Sequence, residues 1–226
     1  MKITYIYHSG FLVETEECYY LFDYYRGNLP VLDKDKLIIV FCSHAHQDHY
    51  NKKIFSILEE QGMRQVMAVL SKDISPRKYP AEDVNIVRVK SHEEYELPCN
   101  TTVRTLHSTD AGVAFLITCK EGRIYHAGDL NDWAWEGEPE RENRQMTGSY
   151  RHEIQELKDI SIDVAFLPLD PRQEKYYAEG MLYFLRTVPV KKVFPMHYWE
   201  QPKIIEKFLV EYPMYCDKIE LTEKTE

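Results

Sequence analysis

The stretch Ser43-His44-Ala45-His46-Gln47-Asp48-His49 packs four metal-capable side chains into six residues. Imidazole nitrogens and carboxylate oxygens are preferred ligands of divalent transition metals, so a His-x-His-x-Asp-His run is chemically loaded. The run follows a continuous apolar segment, residues 37–42, which reads as a buried strand, and it precedes a helical pattern that starts near Asn51. A loop at the C-terminal end of a strand, held between rigid elements, is where a site is expected.

Outward from this loop, residues 2–7, 11–15 and 19–23 are short β-branched or aromatic segments, split by His8-Ser9-Gly10 and by Glu16-Glu17-Cys18. They predict an antiparallel meander. Ile54, Phe55, Ile57 and Leu58 recur at helical spacing within residues 52–61, with Gly62 as a C-cap. Residues 66–70 predict the next strand and 71–83 a loop or short broken helix. A second run of strands follows at 84–89, 95–97, 102–106, 113–118 and 123–126, with Glu121-Gly122 as a hairpin turn. Residues 131–149 are polar, with Trp133, Trp135 and Met146 as the large apolar anchors, and read as a mobile segment or lid. Helices are predicted at 150–158, 174–187 and 202–212, and strands at 163–167, 192–195 and 218–221. Two groups of mostly antiparallel strands, each followed by helices, predict an α+β, four-layer αββα sandwich with the helices outside.

The chain of 226 residues is read as a single domain, 1–226. Its 37 acidic against 28 basic residues give a formal charge of -9, which repels phosphate backbones and acidic membrane surfaces. Nucleic acid and membrane are therefore disfavoured partners, a small-molecule substrate is favoured, and the pattern carries no oligomeric state. The five scattered cysteines lack any C-x-x-C pairing and suit free thiols in a reducing compartment. No signal-peptide core or membrane-length apolar run stands out, which predicts a soluble cytoplasmic protein.

A two-metal site needs more ligands than the loop supplies, and each remaining candidate ends a strand. His107 follows 102–106, Asp129 follows 123–126 through Ala127-Gly128, and His197 follows 192–195. The ordered set His44-x-His46-x-Asp48-His49, His107, Gly128-Asp129 and His197 resembles the metallo-β-lactamase-fold superfamily over essentially the full chain. Tyr7-His8-Ser9-Gly10-Phe11, Tyr125-His126-Ala127-Gly128-Asp129 and Pro195-Met196-His197-Tyr198 resemble, within it, small hydrolases related to ascorbate-phosphate lactonases. The resemblance implies that His44, His46 and His107 hold one divalent metal, that Asp48, His49 and His197 hold a second, and that Asp129 bridges them. It implies a metal-bridging hydroxide as nucleophile, oriented by Asp48 as the catalytic carboxylate, in hydrolysis of an ester, lactone or phosphoester. The histidines favour zinc at one site, while the carboxylates leave manganese or iron open at the other. The alternatives within the fold are a non-hydrolytic di-iron oxidoreductase and a metal-binding protein without catalysis.

Four further residues are candidates behind the ligands or at the mouth. Asp23 ends a strand and can accept the second N–H of a ligating imidazole. His126 can do similar orienting work or pack in the core, and His8 ends the first strand as an orienting or substrate-contact group. Arg172, in Asp170-Pro171-Arg172, can hold an anionic group or simply form a surface turn. Trp133, Trp135, Tyr198 and Trp199 flank the ligand positions as pocket walls or plain core.

Overall fold

The computed structural model describes residues 1–80 and 84–221. β1 (Lys2–Tyr7), β2 (Gly10–Glu14) and β3 (Cys18–Phe22) form the expected antiparallel meander. The β1–β2 turn is tight enough to put His8 at φ 57°, in the left-handed region. β3 pairs in parallel with β4 (Leu37–Cys42), β4 with β5 (Val66–Ser71), and β5 with β6 (Asn85–Val89). Parallel neighbours need a crossover, and α1 (Lys53–Glu60) supplies the one between β4 and β5.

The second sheet repeats the plan. β7 (Glu94–Leu97), β8 (Thr101–His107), β9 (Val113–Cys119) and β10 (Gly122–His126) are antiparallel. β11 (Ile162–Pro168) and β12 (Val190–Met196) then add in parallel, after α2 (Glu140–Gln155) and α3 (Glu179–Thr187). The two sheets run β1-β2-β3-β4-β5-β6 and β12-β11-β10-β9-β8-β7. The sandwich is the predicted one. Each sheet is mixed: β3 to β6 run parallel in the first and β10 to β12 in the second, with α1 before β5, α2 before β11 and α3 before β12 carrying the chain back in the same direction.

The inner faces interdigitate through aromatic rings. Phe11 lies 4.3 Å from Phe166 and Phe41 lies 5.2 Å from Phe115, centroid to centroid, distances typical of favourable offset or tilted pairs. The opposite face of the first sheet, with Leu21, Ile38, Val40 and Ala68, is covered by Ile54 and Leu58 of α1. Since β3 is buried throughout and β4 nearly so, those strands read as uninterrupted apolar runs and not as alternating ones.

Several sequence expectations change. Residues 131–149 are not a loose segment. Asn131, Asp132, Trp133 and Ala134 are buried, tied by Gln173 Nε2 donating to the Asp132 and Ala134 carbonyls at 2.6 and 3.1 Å. Residues 140–149 begin a 16-residue helix whose buried anchors, Tyr150 and Ile154, come only after its polar first turns. Glu140 and Glu142 sit favourably against the positive end of the helix dipole. The helix predicted at 174–187 is split: Pro171–Tyr176 is a 3-10 turn with Glu174 at φ 52°, and α3 starts after it. The predicted strand 218–221 contributes a single bridge, Ile219 to Val193. The helix at 202–212 appears as α4 (Lys203–Glu211), and 71–80 hold the short turn Pro76–Lys78. The last part of the predicted 71–83 loop, residues 81–83, lies outside the described residues. No helix among the described residues is long and apolar enough to cross a membrane.

Candidate metal centre

The loops at one rim of the sandwich bring the histidine run against three distant strand ends. After β4, Ser43 enters the loop with its backbone N–H and hydroxyl both donating to Asp23, at 2.7 and 2.6 Å. The β8–β9 loop presses on the same backbone: Val113 N–H donates to the Ser43 carbonyl at 3.0 Å. This contact requires Gly112, at φ 70°, because a Cβ there would lie 1.9 Å from the Ser43 oxygen. After β10, Gly128 makes the next close approach, 2.7 Å from its would-be Cβ to the Ser43 Cβ, and turns Asp129 inward.

Asp129 is the hub. Its carboxylate lies 3.1 Å from His49 Nε2 and 3.4 Å from both His44 Nε2 and His197 Nε2. Two donor groups result, each with its atoms within 4.8 Å of one another: His44, His46, Asp110 and Asp129, and His8, Asp48, His49 and His197. His44 Nε2, His49 Nε2, His8 Nε2 and Asp129 Oδ1 are buried and make no hydrogen bond. Polar atoms held dry and unpaired are costly, and a cation shared by their lone pairs removes the cost. The donor set therefore fits divalent metal.

Behind the inward Nε2 atoms, a second row fixes each ring. Asp23 Oδ2 accepts from His49 Nδ1 at 2.8 Å, Asp170 Oδ2 from His197 Nδ1 at 2.9 Å, and Ser43 Oγ from His44 Nδ1 at 3.0 Å. Such partners set the tautomer that leaves Nε2 free to ligate. Burial alone would raise the Asp23 carboxyl, but the hydrogen-bonded His49, with His126 and His44 around it, outweighs that and holds it below the usual range. Asp129 is likewise pulled well down by His49, His197 and His44 against its burial. Asp170, against its burial, is brought to about 2 by His197 and Arg172. His8 is lowered to about 4 by burial, which its contact with Asp48 only partly offsets.

The sequence candidates are placed as follows. His44, His46, Asp48, His49, Asp129 and His197 all enter the two donor groups. His8, expected behind the ligands or at the substrate, stands among the donors, 3.4 Å from Asp48. His107 is not brought into either group. It is exposed, its ring lies 6.4 Å from His92, and its N–H is bound by Glu153 of α2 at 3.0 Å. Asp110, three residues on, stands beside His46 at 3.7 Å. Asp23 orients His49. His126 is fully buried, donates to the Ser9 carbonyl, accepts from Gly128 N–H and stacks on Phe22 at 4.8 Å, so it braces the Asp129 turn and packs in the core at once. Arg172 is half exposed, bound to Asp170 and stacked over Trp199 at 4.5 Å.

Sequence reasoning passed over Asp110 and Asp170. Asp170 follows the strand β11, the same signal that marked Asp129. Asp110 sits mid-loop, where only the fold brings it near His46. Trp133 and Trp199 flank His197, at 5.4 and 5.5 Å, and Trp133 Nε1–H also holds the Asp129 carbonyl at 2.8 Å. Beside the metal centre lies a cavity of about 830 Å³ between the β8–β9 loop and α2, lined by His107, Asp110, Gln145, Met146, His152 and Glu153 among others.

Residues 2–139 match the sequence profile of the Beta-lactamase superfamily domain. The chain belongs to the beta-lactamase superfamily. No curated protein matches it in sequence. Among solved structures, this superfamily member is similar to Igni18, a metallo hydrolase from the archaeon Ignicoccus hospitalis KIN4/I, at TM-score 0.70 and 19% identity, over 99% of this chain and 95% of that one. It is similar to an isothiocyanate hydrolase from Delia radicum gut bacteria, at TM-score 0.61 and 15% identity, over 100% and 98%. It is also similar to CmlA, a diiron beta-hydroxylase from Streptomyces venezuelae, at TM-score 0.62 and 12% identity, over 97% of this chain and 52% of that one. At these identities the likeness is one of fold. In the beta-lactamase superfamily member described here, the His and Asp donors are candidate metal ligands.

Proposed function

We propose that this protein is a metal-dependent hydrolase that cleaves an ester, lactone or phosphoester bond of a small molecule at a dinuclear centre. The observation that carries the reading is the convergence of the His44, His49 and His197 Nε2 atoms on the Asp129 carboxylate, with His44 Nε2, His49 Nε2 and Asp129 Oδ1 buried and unpaired. His44, His46 and Asp129 would hold one metal, and Asp48, His49, His197 and Asp129 the other. Divalent metals held by these residues would supply a water of lowered pKa and stabilise charge on the reacting oxygens.

The chain's own residues do the rest. Asp48 is one-quarter exposed at the site and kept ionised by His8 and His49 despite partial burial, so it can orient the attacking water. Asp170 and Asp23 hold the ligand rings in register and prevent Nε2 from taking a proton. The wall of Trp133 and Trp199 restricts water on the His197 side, and Arg172, whose guanidinium faces Trp199, offers a positive edge to an anionic leaving group. The neighbouring cavity has room for a small-molecule substrate.

The test is a screen of phosphodiester, phosphomonoester, carboxylic ester and lactone substrates with protein reconstituted in zinc, manganese or iron. Turnover on one class that falls at least 100-fold in Asp48→Asn, with metal content retained, is expected. Wild-type turnover by Asp48→Asn would refute the role of Asp48, and no hydrolysis of any class with any metal would refute the hydrolase reading.

A further inference from the structure

We infer that Asp110, and not His107, completes the metal site of His44 and His46, and that His107 is thereby released to the cavity that receives substrate. The inference rests on the dinuclear reading above and departs from the ligand set that the family resemblance implies.

Five observations converge. Asp110 Oδ2 stands 3.7 Å from His46 Nδ1, and its carboxylate falls within 4.8 Å of donor atoms of His44, His46 and Asp129. The group it joins contains atoms that demand a partner: His44 Nε2 and Asp129 Oδ1 are buried without a hydrogen bond. The loop is built to hold Asp110 there. Ser108 Oγ accepts from Asp110 N–H at 3.2 Å, Thr109 Oγ1 donates to the Asn131 carbonyl at 2.6 Å, and the Gly112 approach to Ser43 fixes the loop's far end. His107, by contrast, is still in the strand. It pairs in register with Val113, and its N–H is held by Glu153, beside His92 and α2. His107 and Asp110 both line the 830 Å³ cavity, so the cavity touches the metal centre through Asp110 and has His107 on its wall.

The exchange has a chemical consequence. Two histidines with two carboxylates form a harder, more anionic donor set than three histidines with one carboxylate. Oxygen donors shift preference away from zinc and towards manganese or ferrous iron. The first site should therefore hold zinc less well than a three-histidine site would. On the cavity wall, His107 gives the substrate a hydrogen-bonding imidazole among the acidic Glu142 and Glu153.

The experiment counts metals. Wild type, Asp110→Ala, His107→Ala and Asp110→His are reconstituted anaerobically with zinc or ferrous iron, desalted and measured by plasma mass spectrometry. Circular dichroism confirms folding, which both alanine variants should keep because Asp110 and His107 are exposed. The expected result is two metals per chain in wild type and His107→Ala, and about one in Asp110→Ala. Asp110→His should retain zinc at the first site and raise the ratio of zinc to iron bound in competition. Loss of a metal in His107→Ala, or retention of both in Asp110→Ala, overturns the inference and leaves the dinuclear reading standing. Wild type holding one metal or none overturns that reading itself, and the inference with it.

Discussion

Replacing Asp23 by Asn should cripple metal binding while leaving the fold in place. Asp23 is fully buried and accepts three hydrogen bonds, from Ser43 N–H, Ser43 Oγ–H and His49 Nδ1–H. Through Ser43 it also governs His44, whose Nδ1–H donates to the same hydroxyl. Asn keeps the shape and one acceptor, which can still serve Ser43 N–H at the Oδ1 position. The other position becomes an amide donor facing two donors. The Ser43 hydroxyl then turns to donate to His44 Nδ1, and His49 Nδ1 must become an acceptor. Both changes place the proton on Nε2, the atom each histidine needs to bind metal. Loss of a single such orienting partner lowers metal affinity by about 10- to 100-fold, and here one substitution disturbs two rings. An affinity loss of at least about 100-fold, equal to about 2.8 kcal/mol, is expected. Competition against a chromophoric chelator, using protein whose circular dichroism matches wild type, measures it. A folded Asp23→Asn variant that binds metal within threefold of wild type would refute the tautomer argument.

Other perturbations follow from the same geometry. In metal-free protein, the depressed Asp170 carboxyl, at about 2 against an ordinary value near 3.9, contributes roughly 2 to 3 kcal/mol that is present above pH 4 and lost as pH falls towards 2. The stability gap between wild type and Asp170→Asn, measured by urea unfolding, should therefore shrink over that window and stay constant above it. Gly112→Ala forces a Cβ to 1.9 Å from the Ser43 carbonyl at a left-handed φ, and should cost at least about 2 kcal/mol together with the metal at the His44 site. His126→Phe preserves the stack on Phe22 but leaves the Ser9 carbonyl and Gly128 N–H buried and unpaired, a loss of about 2 to 5 kcal/mol by chemical denaturation. Chelation should lower thermal stability reversibly. Metal at 1,000 times its dissociation constant adds about 4 kcal/mol, so an unchanged melting temperature after chelator treatment would show that the donors are not held together by metal.

Much of this was readable from residues 43–49, because a dense donor run between an apolar strand and a helix constrains both fold and chemistry. His197 and Asp129 were legible for a simple reason: strands of a sheet end at a common rim, so a donor that ends a strand is placed by the strand. Strand direction was less legible. β10, β11 and β12 are short apolar segments whose sequence looks alike in either orientation, and only the intervening α2 and α3 make them parallel. The first turns of α2 read as a loose segment because their polar residues face solvent and the cavity, while the anchors Tyr150 and Ile154 come later. Asp110 was invisible for a different reason. Its role depends on how the 108–112 loop folds against Ser43, a contact between segments more than 60 residues apart, and no local pattern encodes that.

Anomalous scattering from crystals of the reconstituted protein tests the central claim most directly. The account predicts two peaks about 3.5 to 4 Å apart, flanking Asp129, with His44 and His46 on one, His49 and His197 on the other, and an open coordination position between them. A single peak, or two peaks whose coordination leaves no open position for water, would contradict a dinuclear hydrolytic centre.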